Sequence, residues 1–127
     1  MINVLIYKES RYPVSRKAIR EAVEETLAEQ GIKSKTEVNV SIIGDRKMRD
    51  LNKKYAQKDE TTDVLSFGLE AGDFVNPPDN ILHLGDVVIS YPQAVKNAAE
   101  NNVLVDEEIK TLVKHGVLHL LGIHHEE

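Results

Sequence analysis

The residues best suited to chemistry lie at the end of the chain, where the last thirteen positions hold four of its five histidines. His115 and His119 are four positions apart, so on a helix they lie on the same face. Gly122 follows them, and glycine tolerates the left-handed conformation that ends many helices. A turn at that point brings His125 back toward the pair. The spacing H-x3-H-x5-H therefore predicts a metal site with three imidazole ligands.

Zinc is the metal that this ligand set favours. Three neutral imidazoles with a fourth position left for water are typical of catalytic zinc sites, whereas structural sites fill all four positions, usually with cysteine. The chain has no cysteine. We predict one Zn²⁺ ion, although imidazole also suits nickel, copper and iron. Zinc lowers the pKa of its bound water to roughly 7. The expected nucleophile is therefore the zinc-bound water or, if the substrate is RNA, a neighbouring 2′-hydroxyl. We assign no protein side chain as the catalytic base.

Gly116 takes the position at which metallopeptidases with the motif H-E-x-x-H carry the glutamate that activates water. Glycine has no base to offer, so the pattern argues against a peptidase of that kind. A minimal metallopeptidase stays open as an alternative. A second alternative is an RNA- or ribosome-associated protein in which the metal is structural.

The composition predicts one soluble domain, 1–127. Hydrophobic residues make up 41% and charged residues 29%, which is ordinary for a globular protein. We find no apolar run of membrane-spanning length and no signal peptide at the start, so we expect a cytoplasmic protein with no membrane partner. The sequence does not decide the oligomeric state.

The net charge of −5 does not favour a nucleic-acid partner, but basic residues crowd one segment. That segment is either a solvated helix face or a phosphate-facing patch. Its basic members are Arg46, Lys47, Arg49, Lys53, Lys54 and Lys58.

Apolar periodicity predicts the elements that must position the histidines. Strands are predicted at Ile2–Lys8, Thr36–Gly44, Val64–Leu69 and Ile81–Tyr91. Polar loops are predicted at Lys58–Thr62 and Glu70–Asn80. Of four predicted helices, the first is opened by Pro13 and Ser15 and closed by Gly31, and the second is capped by Asp45 with Met48, Leu51 and Tyr55 buried. The third runs from Pro92 through Val95, Ala98 and Ala99. The fourth begins at Asp106 and has these residues on its core side: Ile109, Leu112, Val113, Val117 and Leu120. The fold class is α+β, with a small mixed four-stranded sheet, helices packed on it, and a zincin-like metal-binding helix near the C-terminus.

Three segments of the chain resemble one known family. The run HGVLHLLGIHH, from His115 to His125, is similar to the HGxLHLxGYDH signature of the YbeY family of bacterial metal-dependent endoribonucleases. Residues 51–67, which read LNKKYAQKDETTDVLSF, resemble that family's LNxxYRxKDxPTDVLSF segment. Residues 84–90, LGDVVIS, resemble its LGDIxIS strand.

The resemblance implies an endoribonuclease that prefers single-stranded RNA and holds one zinc ion with His115, His119 and His125. It also implies processing of the 3′ end of 16S ribosomal RNA and a part in ribosome quality control, with RNA and the ribosome as partners.

The family's cleft implies further residues near the metal. The ion would lie at one end of a cleft flanked by the strand 64–67, with Ser66, Asp63 and Asp86 close by. Each of these three side chains has a plainer alternative as a hydrogen-bonding residue at a strand end.

Three departures from the family pattern affect the predicted site. The arginine after the tyrosine is Ala56 here, which predicts weaker substrate binding unless Lys54 or Lys58 takes its place as a point charge. The predicted substrate-binding residues are Lys54, Lys58 and Ser66. The usual aspartate before the last ligand is His124, which competes with His125; we favour His125 because it preserves the spacing. The chain also stops at position 127, whereas family members usually continue into an acidic helical tail.

Overall fold

A computed structural model describes residues 2–68 and 80–123. Within these ranges the protein has four strands and four helices. In chain order they are β1 (Ile2–Lys8), α1 (Arg16–Glu29), β2 (Thr36–Ile43), α2 (Asp45–Ala56), β3 (Val64–Gly68), β4 (Leu82–Ser90), α3 (Tyr91–Asn101) and α4 (Val105–Leu120). The predicted bounds agree with these to within three residues, apart from Leu69 and most of the loop predicted at 70–80, which lie outside the described residues.

The sheet is mixed, with the strand order β1-β2-β4-β3. β1, β2 and β4 are parallel to one another, and β3 pairs with β4 in the antiparallel direction at the edge. The predicted α+β fold with a small mixed four-stranded sheet is confirmed.

Helices cover both faces of this sheet, as the alternation along β4 shows. Val87 and Ile89 lie in the main core with residues of α1 and α4. Val88 points to the other face and packs with Met48 of α2 in a smaller apolar cluster. The histidine-bearing helix α4 and the lysine-rich helix α2 therefore belong to opposite layers.

Two predictions about α2 are wrong. Gly44, not Asp45, is the N-cap, and Asp45 is the first helical residue, because its carboxylate bonds to side chains of other elements instead of to its own helix. Tyr55 is not buried but 56% exposed. At that point α2 lies over the edge strand, and the Tyr55 ring meets Phe67, with ring centroids 4.9 Å apart.

Membrane insertion of a helix finds no support in the described part of the chain. Every helix there is too short or too polar to cross a bilayer.

Candidate functional site

Helix α4 presents its two histidines because its apolar residues fix how it faces the sheet. Side chains on one side of the helix are buried in the main core, among them Ile109, Val113 and Val117. His115 and His119 lie outside this buried stripe and are exposed. Being one turn apart, their rings stand one above the other on the same side of the helix.

Gly116 explains how closely α4 approaches the sheet. A Cβ atom at this position would lie 2.5 Å from Cγ1 of Val87 on β4, closer than real contacts allow. The helix therefore packs on β4 through a position that only glycine can fill without displacement. A glutamate there would collide with Val87 unless α4 moved away from the sheet, so the close packing and a base at this position exclude each other in this fold.

Gly122 ends the helical segment in the way the sequence predicts. Its φ is +81°, in the left-handed region. Its N–H donates to the carbonyl of His119 at 3.0 Å, and the N–H of Ile123 donates to the carbonyl of Leu118 at 2.9 Å. This bond pair is the Schellman arrangement, which satisfies carbonyls left over at a helix end. His124 and His125 lie outside the described residues, so the third predicted ligand is not placed.

Ser66 of β3 contacts one of the two histidines directly. Its Oγ lies 2.9 Å from Nδ1 of His119. The two residues help to line a cleft of about 260 Å³, bounded by Val64, Leu65, Ser66, His115, Gly116 and His119. The predicted juxtaposition of the histidine pair with the strand 64–67 is present in the fold.

The start of β3 is fixed to neighbouring elements by Asp63. Its backbone carbonyl accepts a bond from the N–H of Ser90 at 3.0 Å. Its carboxylate accepts a second bond from Nδ2 of Asn97 at 3.1 Å. Asp63 thus fits its structural alternative as a strand-end residue and holds Ser66 in place only indirectly.

Asp86 lies on the other face of the sheet from the histidines. It is the cross-strand partner of Phe67, which belongs to the cluster under α2. Directly paired residues in an antiparallel sheet share a face. Asp86 therefore does not lie beside His115 or His119, which differs from the expectation.

Asp45 organises a polar junction that the sequence analysis missed. Its Oδ1 accepts bonds from Ser90 Oγ at 2.7 Å, Thr61 Oγ1 at 3.0 Å and Gln93 Nε2 at 3.2 Å. Burial raises the pKa of Asp45, but the bonds from Ser90, Thr61 and Gln93 outweigh this and hold the pKa below its ordinary value. The junction links α2 and α3 to the loop that leads into β3.

Lys54 and Lys58 lie away from the cleft. Both are exposed, in the last turn of α2 and just beyond it. The ammonium group of Lys54 is 5.2 Å from the centroid of the Tyr55 ring, on the α2 side of the sheet. Of the three predicted substrate-binding residues, only Ser66 shares the cleft with the histidines.

The described residues supply only part of a zinc site, but their chemistry suits zinc. Within residues 2–68 and 80–123, no three His, Cys, Asp or Glu side chains lie close enough together to hold one metal ion. His115 and His119 do supply two imidazoles on one helix face beside an open cleft. Neutral imidazole is a preferred zinc ligand, so the residues present fit the ion.

The chain matches known proteins along most of its length. A family model described as Endoribonuclease YbeY matches residues 6–127. A curated Endoribonuclease YbeY from Dehalococcoides mccartyi is 40% identical over 135 residues, covering 99% of this chain and 84% of the relative. Another from Roseiflexus sp. is 44% identical over 111 residues, covering 85% and 69%.

One solved structure has a similar fold. The solution structure of TM1509 from Thermotoga maritima superposes with a TM-score of 0.60 and 26% sequence identity. The superposition covers 99% of this chain and 75% of the Thermotoga chain.

Proposed function

The chain belongs to the YbeY family of endoribonucleases, and from that premise we propose that it is a zinc-dependent enzyme that cleaves single-stranded RNA. We further propose that it matures the 3′ end of 16S ribosomal RNA and takes part in ribosome quality control. Its partners are then RNA and the ribosome, and it works in the cytoplasm.

The observation that carries this proposal is the placement of His115 and His119. Both rings stand on the exposed side of α4 and line a cleft whose opposite wall is the edge strand β3. Among residues 2–68 and 80–123 no further strand pairs with the outer side of β3, and a cleft that the sheet does not close on that flank suits a long polymer, which can reach the ligands without threading an end.

Three histidines are the proposed zinc ligands. His115, His119 and His125 would hold the ion. A zinc ion at this position supplies an electrophile that polarises a phosphoryl oxygen and offsets the charge that develops there. The imidazoles would stay neutral, because only the neutral ring is a ligand.

The RNA contacts are proposed on both sides of β3. Ser66 lies in the cleft, where its hydroxyl is a neutral hydrogen-bonding group for a phosphate. Lys54 and Lys58 lie in the α2 layer, and we propose that they bind the phosphates of nucleotides that cross the edge of the sheet. As point charges they take the place of the bidentate clamp that the family's arginine provides, which is Ala56 here.

The two alternatives receive less support. A metallopeptidase would need its base at position 116, where Val87 leaves no room for a side chain. A structural zinc site fills all four positions with protein ligands, usually cysteine, and this chain has no cysteine.

The direct test is cleavage of a labelled single-stranded RNA by the zinc-loaded chain, beside a fully paired RNA of the same sequence. We expect cleavage of the single strand that a chelator stops and added zinc restores. The His119→Ala variant should be folded and inactive. Cleavage that persists in the chelator contradicts zinc dependence, and release of peptides from casein by the same preparation would favour the peptidase.

A further inference from the structure

We propose that Ser66 is a positioning residue for the metal ligand His119: it accepts a hydrogen bond from Nδ1 and so assigns Nε2 to the ion. This inference rests on the proposed function, because it presupposes that His119 binds zinc. Ser66 would then orient the zinc-binding residue His119 in addition to making the proposed contact with RNA.

The contact between the two side chains is short and spans a long stretch of sequence. Ser66 Oγ and His119 Nδ1 are 2.9 Å apart, within the ordinary range for a hydrogen bond, and the residues are 53 positions apart. A neutral imidazole carries one proton, on one of its two nitrogens. When Nε2 faces a metal, the proton must be on Nδ1, and Nδ1 then donates to the serine oxygen.

The serine is held well enough to orient a ring. Ser66 is the cross-strand partner of Val87, so it lies on the same face of the sheet as Val87. Val87 is the residue against which Gly116 packs. One turn of α4 and the middle of β3 are therefore both positioned against Val87, which places Ser66 beside His119.

Such a bond has a known effect on metal sites. Ligating histidines usually donate their second nitrogen to a carboxylate, a carbonyl or water, which fixes the tautomer and the ring orientation. Loss of the outer partner typically weakens metal affinity about 10- to 100-fold. A serine hydroxyl accepts here and still has a proton to donate, so the contact with RNA remains compatible.

The test measures zinc affinity of the full chain by competition with a chromophoric chelator. Ser66→Ala should weaken zinc binding about 10- to 100-fold, with little change in the melting temperature of the metal-free protein. Ser66→Thr keeps the hydroxyl and should restore most of the affinity. Ser41→Ala removes a half-buried serine from the opposite face of the sheet and should leave zinc affinity unchanged.

Nitrogen NMR of the histidine rings gives a second readout. In the zinc-loaded chain, Nε2 of His119 should have the shift of a metal-bound nitrogen and Nδ1 that of a protonated one. Zinc bound through Nδ1 overturns the inference, as does a Ser66→Ala variant that binds zinc as tightly as the wild type, or a Ser66→Thr variant as weak as Ser66→Ala.

These outcomes separate the inference from the proposed function. If the wild-type chain binds zinc and Ser66→Ala weakens it, the inference holds even when no RNA is cleaved. If RNA is cleaved and Ser66→Ala binds zinc normally, the proposed function holds and the inference fails. A wild-type chain without stoichiometric zinc contradicts both.

Discussion

At the scale of single residues, the site depends on which atoms of His115 and His119 are presented to the cleft. The helix fixes both backbone positions, and Ser66 fixes one nitrogen of His119 at 2.9 Å. The interval from His115 to His119 in the sequence was enough to predict the pair. The contact with Ser66 was signalled only by the family segment that contains it, because no local pattern reports a bond between residues 53 positions apart.

Replacing single histidines should separate essential ligands from replaceable ones. His115→Ala and His119→Ala should each abolish stoichiometric zinc, because neither has an adjacent histidine to replace it. His125→Ala should cause a smaller loss, because His124 can take its place. Metal content of the purified variants, measured by elemental analysis, tests this.

The matched control for this series is His83→Ala. His83 lies on β4 and pairs with Glu37 of β2, with Nδ1 and Oε1 3.3 Å apart. This variant should keep one zinc per chain. Equal loss of zinc in the variants of His115, His119 and His125 would show that His124 is not a substitute ligand.

At the scale of elements, α4 and β3 form the two walls of the cleft, and the junction at Asp45 ties the loop before β3 to α2 and α3. Periodicity predicted the helices and strands because burial of one face leaves a repeating pattern. It did not predict the junction, because Asp45, Thr61 and the pair Ser90 and Gln93 come from three separate segments that meet only in the folded chain. It misplaced Tyr55, because a helical pattern does not reveal where the sheet beneath the helix ends.

The turn at Gly122 can be tested against an equivalent turn elsewhere. Gly122 and Gly31 both have positive φ, +81° and +73°, and a Cβ atom at either would meet no described residue within 4 Å. Gly122→Ala and Gly31→Ala should each cost about 1 to 2 kcal/mol of unfolding free energy, the strain of a left-handed non-glycine residue. Only Gly122→Ala should also weaken zinc binding, because only that turn leads to His125.

Calorimetric or denaturant unfolding of the metal-free variants measures the loss of unfolding free energy. Competition with a chelator then measures the zinc affinity of each variant. If the two substitutions lower zinc affinity equally, the turn at Gly122 has no special relation to the metal site.

The junction at Asp45 predicts a dependence of stability on pH. Asp45→Ala should lower the unfolding free energy by about 2 kcal/mol near neutral pH, because the buried hydroxyl of Ser90 loses its charged acceptor. The pKa of Asp45 is lower in the folded than in the unfolded chain. The stability it contributes is therefore complete above its ordinary pKa of 3.8 and is lost as the pH falls through the lower folded value.

Urea unfolding of wild type and variant across this pH range measures the effect. The difference between the two chains should shrink as the solution becomes more acidic. A difference that stays constant to the lowest pH would mean that the carboxylate charge contributes nothing to the junction.

At the scale of the whole molecule, the sheet between the two helix layers separates His115 and His119 from the basic helix α2. α4 covers one face of the sheet and α2 the other, with β3 as the edge between them. An RNA strand that touches both layers must cross that edge. The resemblance to the family predicted both the histidine pair and the lysines as site residues. Only the sheet topology shows that the histidines and the lysines lie on opposite faces of the sheet.

This path predicts how RNA binding should respond to salt. The double variant Lys54→Ala/Lys58→Ala should bind single-stranded RNA more weakly and reduce the slope of log affinity against log salt by about 1.4, or about 0.7 for each lost phosphate contact. The rate of cleavage at saturating RNA should change little, because neither lysine lines the cleft. Lys17→Ala, on α1, should leave the slope unchanged, and an equal effect of Lys17→Ala would mean that the contacts are not localised at α2.

The proposed function requires that one zinc ion binds at the exposed histidines of α4. Anomalous diffraction at the zinc absorption edge, from crystals of the zinc-loaded chain, locates the ion. We expect a single strong peak at about 2.0 to 2.1 Å from Nε2 of both His115 and His119, with one of the two following histidines as the third ligand. A peak elsewhere, or histidine rings that do not converge on a common ion, would contradict it.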